Sequence, residues 1–260
     1  MHKPVEVLSS QFLISFELLK DEIKDFNNYP FSLQIVKFFE KIELHKNVTF
    51  LIGENGTGKS TLLESLATAY GFNPEGGSKN HRFRTKQTHS VLSEYIRYTR
   101  GVNRPNSEFF LRAESFYNLA TNIDEIADKV FLKNNYGGKS LHEQSHGESF
   151  MSLFNNRFQE KGFYILDEPE AALSPQRQMS FLIRLNQLVK EECQFIIATH
   201  SPIILSYPNS KIIQISENGL EHVDYEETEH YKLYKFFLNN KDYMMKNLQI
   251  EKIDNFKTEG

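Results

Sequence analysis

The chain has 260 residues, 39% of them hydrophobic and 25% charged, with a formal net charge of −4. That length supports one substantial α/β core with room for an inserted lobe. The negative charge excludes a protein that coats nucleic acid through overall charge, and a single cysteine, Cys193, excludes an intrachain disulfide.

The N-terminal stretch MHKPVEVLSSQFLISFELLKDE breaks its hydrophobic residues with charges, and no run approaches the roughly eighteen apolar residues of a membrane span. The expectation is a cytoplasmic chain with no membrane insertion and no signal peptide. From Phe12 to Asp25 the apolar spacing is mixed and fits a strand or a helix equally. After the turn residues Asn27, Asn28, Tyr29 and Pro30, the stretch FSLQIVKFFEKIEL alternates and suggests one or two strands. Tyr29 and Phe31 are candidates to stack on a base, with core packing as the plain alternative.

Val48–Thr61, VTFLIGENGTGKST, carries the strongest signal. Five β-type residues lead into Gly53, four residues follow (Glu54, Asn55, Gly56 and Thr57), and Gly58, Lys59, Ser60 and Thr61 complete G-x-x-x-x-G-K-[ST]. The glycines let main-chain N–H groups curl around an anion, and the helix beginning near Lys59 directs its positive end there. Lys59 then reaches the terminal phosphates of a nucleotide, while the Ser60 hydroxyl suits Mg²⁺. Leu62, Leu63, Leu66 and Ala67 continue with helical spacing.

Gly71–Ser78 reads as a loop. From Lys79 to Arg104 seven basic residues (Lys79, Arg82, Arg84, Lys86, Arg97, Arg100 and Arg104) oppose Glu94, a net +6 that leaves −10 for the rest. This stretch is a candidate nucleic-acid contact; a solvated face, or Lys86 on ATP phosphates, is the plainer reading. Val91–Arg97 has helical or strand character, EFFLR (108–112) reads as a strand, and a helical pattern covers Ile123–Leu132. Ser145, His146 and Gly147 precede an amphipathic helix with Phe150, Met151, Leu153, Phe154 and Phe158, so Ser145 and Glu148 form a capping box. The same helix start could also bind the γ phosphate of a nucleotide held by another subunit.

GFYILDEPEAALS (162–174) is an apolar strand that delivers Asp167 and Glu168 to its C-terminal end, where ligands bind in open α/β sheets. Asp167 can support Mg²⁺, and Glu168 can polarise an attacking water. Phe195–Ala198 is a further strand ending in Thr199, His200, Ser201 and Pro202, which would carry His200 to the same edge. Later, Glu226, Glu227 and His230 fall at spacings that could gather a metal, although an acidic first turn is the ordinary form of a helix start.

The order GENGTGKS, QSHGES, ILDEPEAALS, IIATHSP resembles the ABC-type ATPase fold, and within it the SMC and RecF-like branch and the small bacterial AAA-family ATPases with an SHGES signature. The resemblance implies an α/β P-loop NTPase: a mixed central sheet with an antiparallel β edge, in a single domain over 1–260. An inserted lobe at about 72–150 would carry the signature, and 221–260 would form a C-terminal helical tail. It implies ATP and Mg²⁺ bound between two heads of an ATP-dependent homodimer, with Lys59, Ser60 and Thr61 on phosphates and metal, Asp167 on the metal, and Glu168 as base. His200 takes the place of the switch histidine, and Ser145 with Gly147 that of the contacts from the partner head. Three departures stand out: His146 replaces a signature glycine, Ser174 replaces an aspartate, and either Glu114 or Gln87 occupies the place of the lid glutamine. A transporter ATP-binding subunit, a nucleotide-gated binding module and a small-molecule kinase are the competing readings.

Overall fold

The computed structural model describes residues 11–54, 56–77, 91–114, 116, 145–216 and 219–250. Strands β1 (Leu13–Leu18), β2 (Lys41–Glu43) and β4 (Ile96–Arg100) make an antiparallel sheet in the order β2-β1-β4. Strands β3 (Val48–Gly53), β5 (Ser107–Arg112), β6 (Gly162–Asp167), β7 (Gln194–Ala198), β8 (Ser210–Ser216) and β9 (Gly219–Val223) form the central sheet in the order β5-β6-β7-β3-β8-β9. All its pairings are parallel except β8 with β9. The mixed α/β architecture with an added antiparallel sheet is the one expected.

Every residue of β3, β6 and β7 is buried, as parallel strands covered on both faces require. On one face Phe50, Tyr164 and Ile197 pack with helices drawn from later in the chain. On the other face Leu51, Ile165 and Ile196 pack with the three-stranded sheet and with helices α1 (Gln34–Phe38) and α2 (Lys59–Tyr70). The first face is covered by α3 (His146–Asn156), α4 (Pro175–Lys190) and α5 (Pro202–Leu205) through Phe150, Phe154, Phe181, Leu185 and Ile204. The Phe154 ring stacks on Phe181 at 4.5 Å, which ties α3 to α4.

The 31–44 stretch departs from the expected strands: it holds α1 and only the short β2. Ile35, Val36 and Phe39 are spaced for one helical face, and all three are buried. That face lies on the loop before α2, because a Cβ on Gly58 would meet Ile35 Cγ2 at 2.8 Å and Leu33 Cδ1 at 3.2 Å. Phe12–Asp25 resolves into β1 and a short turn. Val91–Tyr95 is a 3₁₀ turn leading into β4, so each half of the mixed signal there is real.

Buried Gln194 joins the two sheets. Its Oε1 accepts from the Phe12 and Leu13 N–H groups at 3.0 and 2.9 Å, and its Nε2 donates to Leu13 O and His45 O at 2.7 and 3.0 Å. Cys193 is buried, donates to Gln159 O at 3.1 Å, and burial pushes its thiol up to about 11. The tail residues 221–223 belong to β9, and its helices α6 (Glu229–Asn239) and α7 (Lys241–Asn247) begin later. Among the described residues, no helix is long and apolar enough to cross a membrane.

Candidate functional site

Strands β6, β7 and β3 lie side by side and parallel, so Asp167, Ala198 and Gly53 finish at one edge of the sheet. The chain turns there after each strand, and the three turns converge. Gly56 and Gly58 have φ values of 84° and 90°, the left-handed region that a residue with a Cβ rarely adopts. Gly53 is needed for space, since a Cβ there would sit 2.8 Å from Ile215 O. Thr57 closes the loop by donating from Oγ1 to Glu54 O at 2.9 Å. A cavity of about 220 Å³ is lined by Glu54, Gly56, Gly58, Lys59, Ser60 and Thr61, with Glu168 on its far wall. Asn55 lies outside the described residues.

Lys59 is 5% exposed, and burial pulls its pKa down against the upward pull of Glu168, Asp167 and Glu170. Its Nζ donates to Gly53 O at 3.4 Å, contacts His200 Nε2, and lies 3.9 Å from Glu168 Oε1. His200 Nε2 is also 3.6 Å from Glu168 Oε1. Glu168 and His200, which follow Lys59 by 109 and 141 positions, are brought by their strands into one cluster with it. Glu168 reaches it from a left-handed backbone, φ 52° and ψ 52°, a strained conformation of the kind that concentrates at functional sites.

Asp167 is buried beside this cluster. Desolvation raises its pKa to about 7, against the lowering effect of Arg112. Arg112 Nε stands 3.7 Å from Asp167 Oδ2, and its Nη1 donates to Glu64 Oε2 at 2.8 Å. Asp167 Oδ1 is buried with no hydrogen-bond partner. An orphaned carboxylate oxygen at the end of β6, with the Ser60 hydroxyl in the first turn of α2, is a donor set suited to a hard divalent cation such as Mg²⁺. Glu114 is far more open, 81% exposed, and pairs with Arg112 Nη2 at 3.4 Å; Gln87 lies outside the described residues.

Glu170 accepts from the His200 main-chain N–H at 2.5 Å and from Thr199 Oγ1 at 2.7 Å, fixing the turn after β7. Tyr29 is 68% exposed with its hydroxyl 3.3 Å from Thr61 Oγ1, whereas Phe31 packs edge-on against Tyr95. The two aromatic candidates are thereby separated: Tyr29 stands beside the loop, and Phe31 is partly buried against the core.

Ser145 and Gly147 do not line the cavity. They begin α3, whose apolar face packs on the side of the sheet opposite α2. The capping pair is present, with Ser145 N–H and Oγ both donating to Glu148 Oε2 at 3.0 and 2.8 Å. Gly147 is buried, and a Cβ there would meet Ala172 O at 2.8 Å and the Arg177 side chain at 2.3 Å. The first turn of α3 therefore rests on the 169–172 turn that follows Glu168. Ser174 caps α4 by accepting from Arg177 N–H at 3.4 Å.

Glu226 and Glu227 lie on a 3₁₀ turn before α6 begins at Glu229, so they share no helical face with His230. No group of three or more metal-ligating side chains occurs among the described residues. Of the basic stretch, Arg97 pairs with Glu17 at 2.8 Å and Arg100 lies over the Tyr70 and Tyr98 rings at 5.2 and 5.1 Å; Lys79, Arg82, Arg84 and Lys86 lie outside the described residues. Arg112 and Glu170 are site residues that motif reading passed over, and His230, read there as a possible metal ligand, instead faces His200. Arg112 faces Asp167 across β5 and β6, a pairing that depends on strand order.

The family model described as ABC transporter matches residues 42–171, and that described as AAA ATPase domain matches 140–205. Among solved structures, a metal-chelate-type ABC transporter in an inward-facing conformation is similar at 15% identity over 87% of this chain and 89% of that one, TM-score 0.50. CbiO1 from Clostridium perfringens, part of the ABC transporter complex CbiONQ, is similar at 16% identity over 91% and 99%, TM-score 0.50. The SMC head domain from Thermotoga maritima is similar at 15% identity over 82% and 98%, TM-score 0.45. No curated protein matches the sequence.

Proposed function

The chain belongs to the ABC family of ATPases, and on that premise we propose that it is a Mg²⁺-dependent ATPase whose site is completed by a second copy of the chain. The observation that carries the reading is the meeting of Lys59, Glu168 and His200 at the ends of three adjacent strands, over a glycine-built loop. In this reading the main-chain N–H groups of the loop and Lys59 bind the phosphates, and Tyr29 stacks on the base. Asp167, with Ser60, would hold Mg²⁺, and Glu114 would add its charge beside them. When bound, Mg²⁺ neutralises charge on the phosphates. Glu168 takes a proton from the attacking water as it adds to the γ phosphorus, ADP leaves, and His200 and Lys59 hold the departing phosphoryl oxygens.

Ser145 and Gly147 are assigned to the γ phosphate of the partner's nucleotide, since neither borders the cavity of its own chain. Closing and opening of the two heads would then drive a change in a bound macromolecule. The test is ATP turnover with Mg²⁺ in the wild type and in Glu168→Gln. Turnover should fall by about 10²-fold or more in the variant while ATP binding persists. Equal rates in the two proteins, or no ATP binding by the wild type, would contradict the reading. Co-purification with an integral membrane protein would instead favour an ATP-binding subunit of a transporter.

A further inference from the structure

Helix α6 lies outside the motifs, yet its second residue reaches the site. His230 Nε2 is 3.2 Å from His200 Nδ1, with the rings tilted by 51° and their centroids 5.4 Å apart. That is the geometry of a hydrogen bond between imidazoles, not of a stack. The position of His230 is itself fixed: Thr228 Oγ1 accepts from Tyr231 N–H at 3.2 Å, and Tyr225 donates from its hydroxyl to Pro202 O at 2.9 Å, close to the β7 turn.

His200 is therefore gripped from three sides. Its main-chain N–H goes to Glu170, its Nε2 faces Lys59 and Glu168, and its Nδ1 faces His230. Lysine brings only donors, so a ring nitrogen facing Lys59 Nζ must present its lone pair. The proton of a neutral His200 then sits on Nδ1, where His230 Nε2 accepts it. Burial favours the neutral form of both rings, and Lys59 adds to this at each of them. Glu168 and Glu170 from the β6 turn and Glu229 from α6 are the acidic groups around the pair.

We propose that His230 is a positioning residue for His200, holding the orientation of its ring and the Nδ1–H tautomer while Nε2 faces Lys59. A neutral imidazole suits this task because its Nε2 lone pair accepts the Nδ1–H of His200 without adding a charge to the site. The catalytic consequence rests on the ATPase reading; the hydrogen bond does not.

The experiment is long-range ¹H–¹⁵N spectroscopy of the imidazoles in the full chain labelled at histidine, with His200 assigned through His200→Gln. The wild type should show His200 as the Nδ1–H tautomer. His230→Ala should move it toward a tautomer mixture, as should His230→Phe, which keeps an aromatic volume without a ring nitrogen. His230→Gln, which retains an acceptor, should resemble the wild type. Unchanged His200 nitrogen shifts in the Ala and Phe variants would overturn the proposal. In ATP turnover, His230→Ala should lower kcat on the order of 10-fold with KM changed less than about twofold, and His230→Gln should restore most of it. An unaltered kcat in the Ala variant, beside an inactive Glu168→Gln, would also overturn it. Equal turnover in wild type and Glu168→Gln would instead remove the ATPase reading, and the imidazole spectra would still decide the pairing.

Discussion

Asp167 combines burial, a carboxylate oxygen without a hydrogen-bond partner, and a pKa raised to about 7. Its folded pKa lies above the unfolded value, so the neutral acid is the form the fold favours. The cost of ionising it is absent near pH 4, develops as pH rises through the folded value, and is complete above it. Asp167→Asn should therefore be more stable than the wild type at pH 8 without Mg²⁺, by on the order of 1–3 kcal/mol. The gain should shrink toward zero at pH 4, and denaturant unfolding at the two pH values checks it. A difference that is the same at both would show that Asp167 is held as the anion by Arg112. At this scale the sequence was informative where a residue sits inside a motif, as Lys59, Asp167, Glu168 and His200 do. It was silent on Arg112 and Glu170 and offered a metal for His230, whose ring meets His200 instead, because these contacts join strands and helices far apart in the chain.

Elements position these groups through a few specific attachments. The most concentrated is Gln194, which makes four hydrogen bonds, at 2.7–3.0 Å, to β1, the residue before it and His45. Gln194→Ala leaves those buried main-chain groups without partners and should destabilise the protein by about 2–4 kcal/mol, measured by denaturant unfolding. A loss below about 0.5 kcal/mol would mean that the two sheets are held by apolar packing alone. The strands at the core of the sheet were legible because burial on both faces leaves a mostly apolar run, as in β3 and β7. The 31–44 stretch was not, because its alternation coexists with helical spacing at Ile35, Val36 and Phe39. Packing on the loop at Gly58 decides for the helix. Likewise the strand β9 at the head of the tail depends on its antiparallel pairing with β8, which no local pattern announces.

Across the whole molecule, the two groups of site residues fall on opposite faces of one sheet. Lys59, Ser60 and Thr61 begin α2 on one face, and Ser145 and Gly147 begin α3 on the other. In the proposed function the two groups meet around a nucleotide across two chains, because within one chain the sheet lies between the helices that carry them. The first turn of α3 rests on the turn that follows Glu168, so in the proposed function a partner's nucleotide engaging α3 would have a short mechanical route to Glu168. The order of the motifs made an ATPase domain legible. The separation of its halves became visible only when the order of the strands and the faces of the helices were known.

An ATP site shared between two copies would show itself in the mass of Glu168→Gln in solution with and without ATP and Mg²⁺. Blocking hydrolysis should trap the closed state. A shared site gives a monomer of 30.4 kDa without nucleotide and twice that mass with it. An unchanged mass with ATP demonstrably bound would contradict it.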